Sequence, residues 1–168
     1  MTENTIVELR AHVAEKLEEL DGVVGLRQTV EGTAPYLFRD ADQVSQLVLE
    51  PRYPLAPVVA LLQKRYPEAR LGIVARGCDS RALVEMAKRE QIDPDQLYVL
   101  GVACTAEEAQ ACYCADPAPD AEQWPAAVVI GEPVAGAAPN PLVAEYEQMS
   151  LPERRAFWRQ QFLKCLKC

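Results

Sequence analysis

Two short patterns, Cys112-x-Cys114 and Cys165-x-x-Cys168, carry the residue types and spacing that point most directly to chemistry. Thiolates two or three residues apart reach one metal or cluster, because the chain between them curls around it. Two more cysteines, Cys78 and Cys104, stand apart from these pairs. The chain has a single histidine, His12, so any metal here is bound mainly by sulfur. Four thiolates suit an iron–sulfur cluster and zinc alike, and composition does not separate the two. The plainer reading is small packing residues plus a frayed tail, since free cysteine packs as a small hydrophobe. A Cys112–Cys114 disulfide is strained, with one residue between the thiols. A thioredoxin-like role for Cys165 and Cys168 fits poorly, because that motif opens a helix after a strand and here it closes the given sequence. His12 falls in a charged, helical-looking segment and reads as a solvated residue, which argues against a Cys-His or Ser-His-Asp catalyst.

The elements that position these thiols are partly legible. Leu71–Ala75 is a short apolar run that suits a buried strand. Gly77 breaks it, Asp79 or Ser80 can cap a following helix, and Leu83, Val84, Met86 and Ala87 supply its apolar face. Asp93-Pro94-Asp95 stops that helix, and Leu97–Val102 reads as a second strand. A strand–helix–strand unit favours parallel pairing. Cys78 and Cys104 each follow a strand, so both thiols are expected on the carboxyl edge of the sheet, where ligands of open α/β sheets bind. Cys78 near a helix start is expected to gain thiolate character from the dipole.

Gly-Cys-Asp-Ser-Arg-Ala-Leu-Val-Glu (77–85), followed by Leu-Tyr-Val-Leu-Gly-Val-Ala-Cys (97–104), resembles the beta subunits of the coenzyme F-420 hydrogenase/dehydrogenase group. It resembles more the related iron–sulfur subunits beside heterodisulfide-reductase and formate-dehydrogenase modules, over roughly residues 70–168. The resemblance implies an iron–sulfur cluster, 4Fe-4S first, an electron-transfer role and partner subunits of a redox complex. Members of the group usually run past a Lys-Cys-x-x-Cys into a ferredoxin-like cysteine cluster, whereas this sequence stops at Lys167-Cys168. The group can involve flavin, but no flavin fingerprint is visible; P-loop and Gly-x-Gly-x-x-Gly patterns are also absent.

Elsewhere, Ile6, Leu9, Val13, Leu17 and Leu20 space an amphipathic helix over 3–20. Val23–Thr29, Pro35–Arg39 and a short Gln46–Leu49 read as strands, and Pro57 opens a helix running to about Tyr66. After Cys104 a polar acidic stretch leads into 111–119, where two prolines and the Cys-x-Cys predict an irregular loop. Ala127–Ile130 is a last strand, 133–141 a linker, and Ser150 with Pro152 and Glu153 starts a final helix bearing Phe157, Trp158 and Phe162.

The formal net charge of -8 argues against nucleic acid and against an anionic membrane surface. No signal-like N-terminus or membrane-length apolar run is present, and six cysteines without a secretory context point to a cytoplasmic redox or metal protein rather than a disulfide scaffold. The expectation is therefore an α/β fold, a small parallel or mixed sheet flanked by helices, with a C-terminal helical tail. Residues 1–132 form the α/β domain, 133–149 a linker and short helix, and 150–168 the final helix. Metal ligands are sought among Cys78, Cys104, Cys112, Cys114, Cys165 and Cys168. The alternative is a non-catalytic assembly or docking module with structural zinc or no metal, and an independent thiol oxidoreductase comes third.

Overall fold

The computed structural model describes residues 3–120 and 128–164. Among them the chain runs α1 (Glu3–Lys16), β1 (Gly22–Thr29), β2 (Gly32–Phe38), a 3₁₀ turn (Ala41–Gln46), β3 (Leu47–Val48), α2 (Ala56–Arg65), β4 (Leu71–Ala75) and α3 (Gly77–Lys88). It continues with β5 (Leu97–Val102), α4 (Ala106–Cys112), β6 (Val128–Ile130), α5 (Pro141–Gln148) and α6 (Leu151–Leu163). The strands form one mixed sheet in the order β2-β1-β4-β5-β6, with β3 also pairing β1. Strands β1, β4, β5 and β6 are parallel neighbours, and β2 and β3 are antiparallel to β1. The fold is thus the expected α/β architecture with a C-terminal helix.

The strand alternation explains the layers. Ile73 and Ala75 of β4 and Leu97 and Val99 of β5 point into a core shared with Val59 of α2 and Leu83 of α3. Val74, Leu100 and Val102 point the other way, toward Leu9 and Val13 of α1 and Phe38. With both faces covered, the central parallel strands become continuous apolar runs. Ile73 and Leu100 are fully buried, each worth about 1.5–3 kcal/mol relative to exposure.

Helix α3 begins at Gly77, so Arg76 takes the N-cap place and Asp79 lies within the first turn. The Asp79 carboxylate accepts from the Arg76 amide at 3.3 Å and from the Leu55 amide at 2.9 Å, tying the starts of α3 and α2 together. Ser150 caps α6 as expected, its amide donating to Glu153 at 2.7 Å. The aromatic residues of α6 pack on α5: Trp158 Nε1 donates to the Tyr146 hydroxyl at 2.8 Å, and Phe157 and Trp158 both meet the Tyr146 ring. Among the described residues no helix is long and apolar enough to cross a membrane.

Candidate functional site

Cys78 and Cys104 do lie at one sheet edge. Strands β4 and β5 are adjacent and parallel, with Ala75 opposite Gly101, and each thiol follows the end of its strand. Cys78 sits in the first turn of α3 rather than before it.

The segment after Cys104 departs from expectation. The loop predicted over 111–119 is helical at its start: α4 runs through Cys112, opened by Thr105, whose hydroxyl accepts from the Glu108 amide while Glu108 accepts from the Thr105 amide. This capping box stands in the sequence as Thr105-x-x-Glu108. It is hard to see because the helix is seven residues long and buries only Ala109, leaving no apolar period. Tyr113 then turns left-handed, at φ 49°, ψ 42°. The Tyr113 amide donates to Gln110 and the Cys114 amide to Ala109, the paired bonds of a Schellman turn. The residue between Cys112 and Cys114 is therefore the one that reverses the chain.

That reversal sends the chain back across the sheet edge. The Cys104 amide donates to the Pro117 carbonyl at 2.9 Å, and the Ala137 amide donates to the Cys114 carbonyl at 2.8 Å. All four thiols, Cys78, Cys104, Cys112 and Cys114, line one cavity of about 260 Å³. They are free thiols. Cys165 and Cys168 lie outside the described residues, and His12 faces Glu15 on α1 at 3.8 Å.

Arginines surround this cavity, and sequence reasoning missed them as site residues. Arg76 is buried and bridges the Leu49 carbonyl and Glu50 carboxylate, both at 2.9 Å, and Glu108 at 3.3 Å. Its other terminal nitrogen, Nη1, is buried without a hydrogen-bond partner among the described residues. Arg52 Nη1 donates to Cys112 Sγ, and Arg81 Nη2 approaches Cys114 Sγ at 3.6 Å. The available signal was position: Arg76 and Arg81 flank the Gly77-Cys78 turn, whereas nothing near Arg52 marks it.

The electrostatics correct a further expectation. Cys78 does not gain thiolate character; burial and then the Asp79 carboxylate push its thiol upward. Burial pushes Cys104 up to about 11, with Arg76 opposing and Glu108, Cys78 and Cys114 reinforcing the rise. Glu108 is raised by burial, but the Thr105 amide and Arg76 outweigh this and hold it below the usual carboxylate range. Four free cysteines share this lining with Arg52, Arg76, Asp79, Glu108 and Asp116, a donor set whose thiols suit a sulfur-ligated metal group. Among the described residues, no three Cys, His, Asp or Glu side chains converge closely enough to hold a single metal ion.

The fold and the edge cavity define an α/β protein with a cysteine- and arginine-lined site. No family profile matches the chain. Among curated proteins, the F420-dependent formate dehydrogenase 1 subunit beta of Methanococcus maripaludis is similar over a short segment, 36% identical over 44 residues, 26% of this chain and 11% of that protein. The chain therefore covers only a small part of that relative, and the likeness is at most a distant relation to a redox-enzyme subunit.

Proposed function

We propose that this chain is an electron-transfer subunit or domain of a cytoplasmic redox complex of the hydrogenase, formate-dehydrogenase or heterodisulfide-reductase type. In this reading Cys78, Cys104, Cys112 and Cys114 hold an iron–sulfur cluster, 4Fe-4S in type. The observation that carries it is the meeting of four cysteines, separated by up to 36 positions in sequence, on one cavity.

Four thiolates suit an iron–sulfur cluster and zinc alike, and the resemblance to iron–sulfur subunits favours the cluster. When bound, such a cluster supplies one-electron chemistry. The protein's residues would do the rest: the four thiols would lose protons and ligate, and the 114–118 segment shields the sheet edge. Cys165 and Cys168 belong to a second, half-built site completed from elsewhere. Residues 1–132 then act as the carrier, and the helices after 141 as the docking end. Short similarity to a dehydrogenase subunit supports the redox setting.

Anaerobic purification tests the proposal. The expected product is brown, with iron and acid-labile sulfide in equal amounts and an absorbance that bleaches on dithionite reduction. A colourless protein holding zinc or no metal refutes it and supports the assembly-module alternative.

A further inference from the structure

We propose that Arg52 and Arg81 act as positioning residues that raise the reduction potential of the cysteine site. The inference rests on the cluster reading above and concerns how this chain's own side chains set its potential.

The two guanidinium groups come from separate parts of the fold, Arg52 from the connection before α2 and Arg81 from α3. Each is held by a carbonyl of the segment that carries the paired cysteines. Arg52 Nη1 reaches the Glu108 carbonyl at 3.4 Å as well as Cys112 Sγ. Arg81 Nη1 donates to the Asp116 carbonyl at 2.8 Å, leaving Nη2 directed at Cys114 Sγ. The carbonyls thus orient the forks so that each sulfur of the Cys112–Cys114 pair receives one guanidinium N–H, with the Arg81 charge shared by the Asp116 carboxylate at 3.8 Å. A surface arginine satisfying loop carbonyls would account for one such contact. It does not account for two arginines, on different elements, each reaching a different member of one Cys-x-Cys.

Potentials of sulfur-ligated clusters follow net charge, hydrogen bonds to the sulfurs and exposure. Reduction adds one electron, delivered by a donor protein, and moves no atoms. Cationic N–H donors stabilise the more negative, reduced form more than the oxidised form. Arg52 and Arg81 are both exposed, so their removal spares the core, whereas Arg76 is buried and bonded to three groups.

The test is a redox titration with dithionite of the anaerobically prepared full chain, followed by visible absorbance and by electron paramagnetic resonance, with iron counted in each sample. Arg52→Gln and Arg81→Gln are each expected to lower the reduced-to-oxidised ratio at fixed ambient potential by about tenfold, a fall of about 59 mV for a one-electron couple. Arg52→Lys and Arg81→Lys, which keep the charge, are expected to recover part of the shift. Arg65→Gln, at the far end of α2, is expected to leave the potential at the wild-type value. Iron-loaded Gln variants that titrate with the wild type, or a rise in potential, overturn the inference while sparing the cluster reading. Complete loss of iron from both Gln variants assigns the arginines to assembly and also overturns it. A wild-type chain that takes up no iron overturns the cluster reading first, and this inference with it.

Discussion

The Cys104 amide donates to the Pro117 carbonyl at 2.9 Å, which ties the segment after the Cys112–Cys114 turn to the strand end that bears Cys104. The bond links the thiol cavity to the path of the 114–118 segment, and several measurable consequences depend on that path.

Replacement of Cys112 or Cys114 by serine is expected to cut iron content to less than about half while leaving the fold intact, because an exposed or half-buried substitution usually changes stability by no more than about 0.5 kcal/mol. Iron and sulfide analysis, paired with thermal unfolding of the metal-free variants, checks both halves. Unchanged iron in both variants removes the pair from the site.

Cys104 in the metal-free protein is expected to alkylate with an inflection near about 11, well above the ordinary 9.0. Burial is the main cause, so the neutral thiol is the favoured form. A raised folded-state value contributes stability that is fully present below the unfolded value and disappears as pH climbs through the folded one. The metal-free fold should therefore weaken between about pH 9 and 11. Ligation requires loss of this proton, so metal uptake should fall as pH falls. Iodoacetamide rates across pH, read by peptide mass spectrometry, decide the point; an inflection at the ordinary thiol value contradicts it.

Gly136 and Gly77 hold the crossing segment close. A Cβ on Gly136 would collide with the Ala115 carbonyl, and one on Gly77 with the Asp116 carbonyl. Neither backbone oxygen can swing aside as a flexible side chain would. Gly136→Ala and Gly77→Ala are each expected to destabilise the protein by about 1–3 kcal/mol and to lower iron content. Urea unfolding and iron analysis test this, and wild-type values in both would show that the segment moves freely.

Tyr113 adopts the left-handed conformation without being glycine, at a cost of roughly 1–2 kcal/mol. Tyr113→Gly relieves that strain, and the extra freedom of glycine in the unfolded chain offsets part of the gain. A net stabilisation of about 0.5–1 kcal/mol is expected in urea unfolding. A loss of stability would mean that the half-exposed tyrosine ring contributes packing that outweighs the strain.

The strands bearing Cys78 and Cys104 were legible from the chain alone: Leu71–Ala75 and Leu97–Val102 form β4 and β5 with those bounds. Strands covered on both faces are apolar throughout, and that pattern needs no knowledge of distant residues. Parallel pairing then sends both thiols to one edge. The Ser150 start of α6 was equally readable, because a capping box is local chemistry.

What the tertiary structure decided depends on contacts that local pattern does not encode. Arg52 meets a thiol 60 positions away, and Ala137 anchors Cys114 across 23. Such meetings follow from how the sheet and its crossovers pack, so no spacing in the chain announces them. The thiol of Cys78 illustrates the same division. Its place at the start of α3 predicted a stabilised thiolate, but burial and the neighbouring Asp79 charge prevail over the helix dipole. The sequence identifies the sulfur-bearing positions; whether those sulfurs face water, each other or a guanidinium group is set by three-dimensional packing, because desolvation and Coulomb terms depend on distance through space.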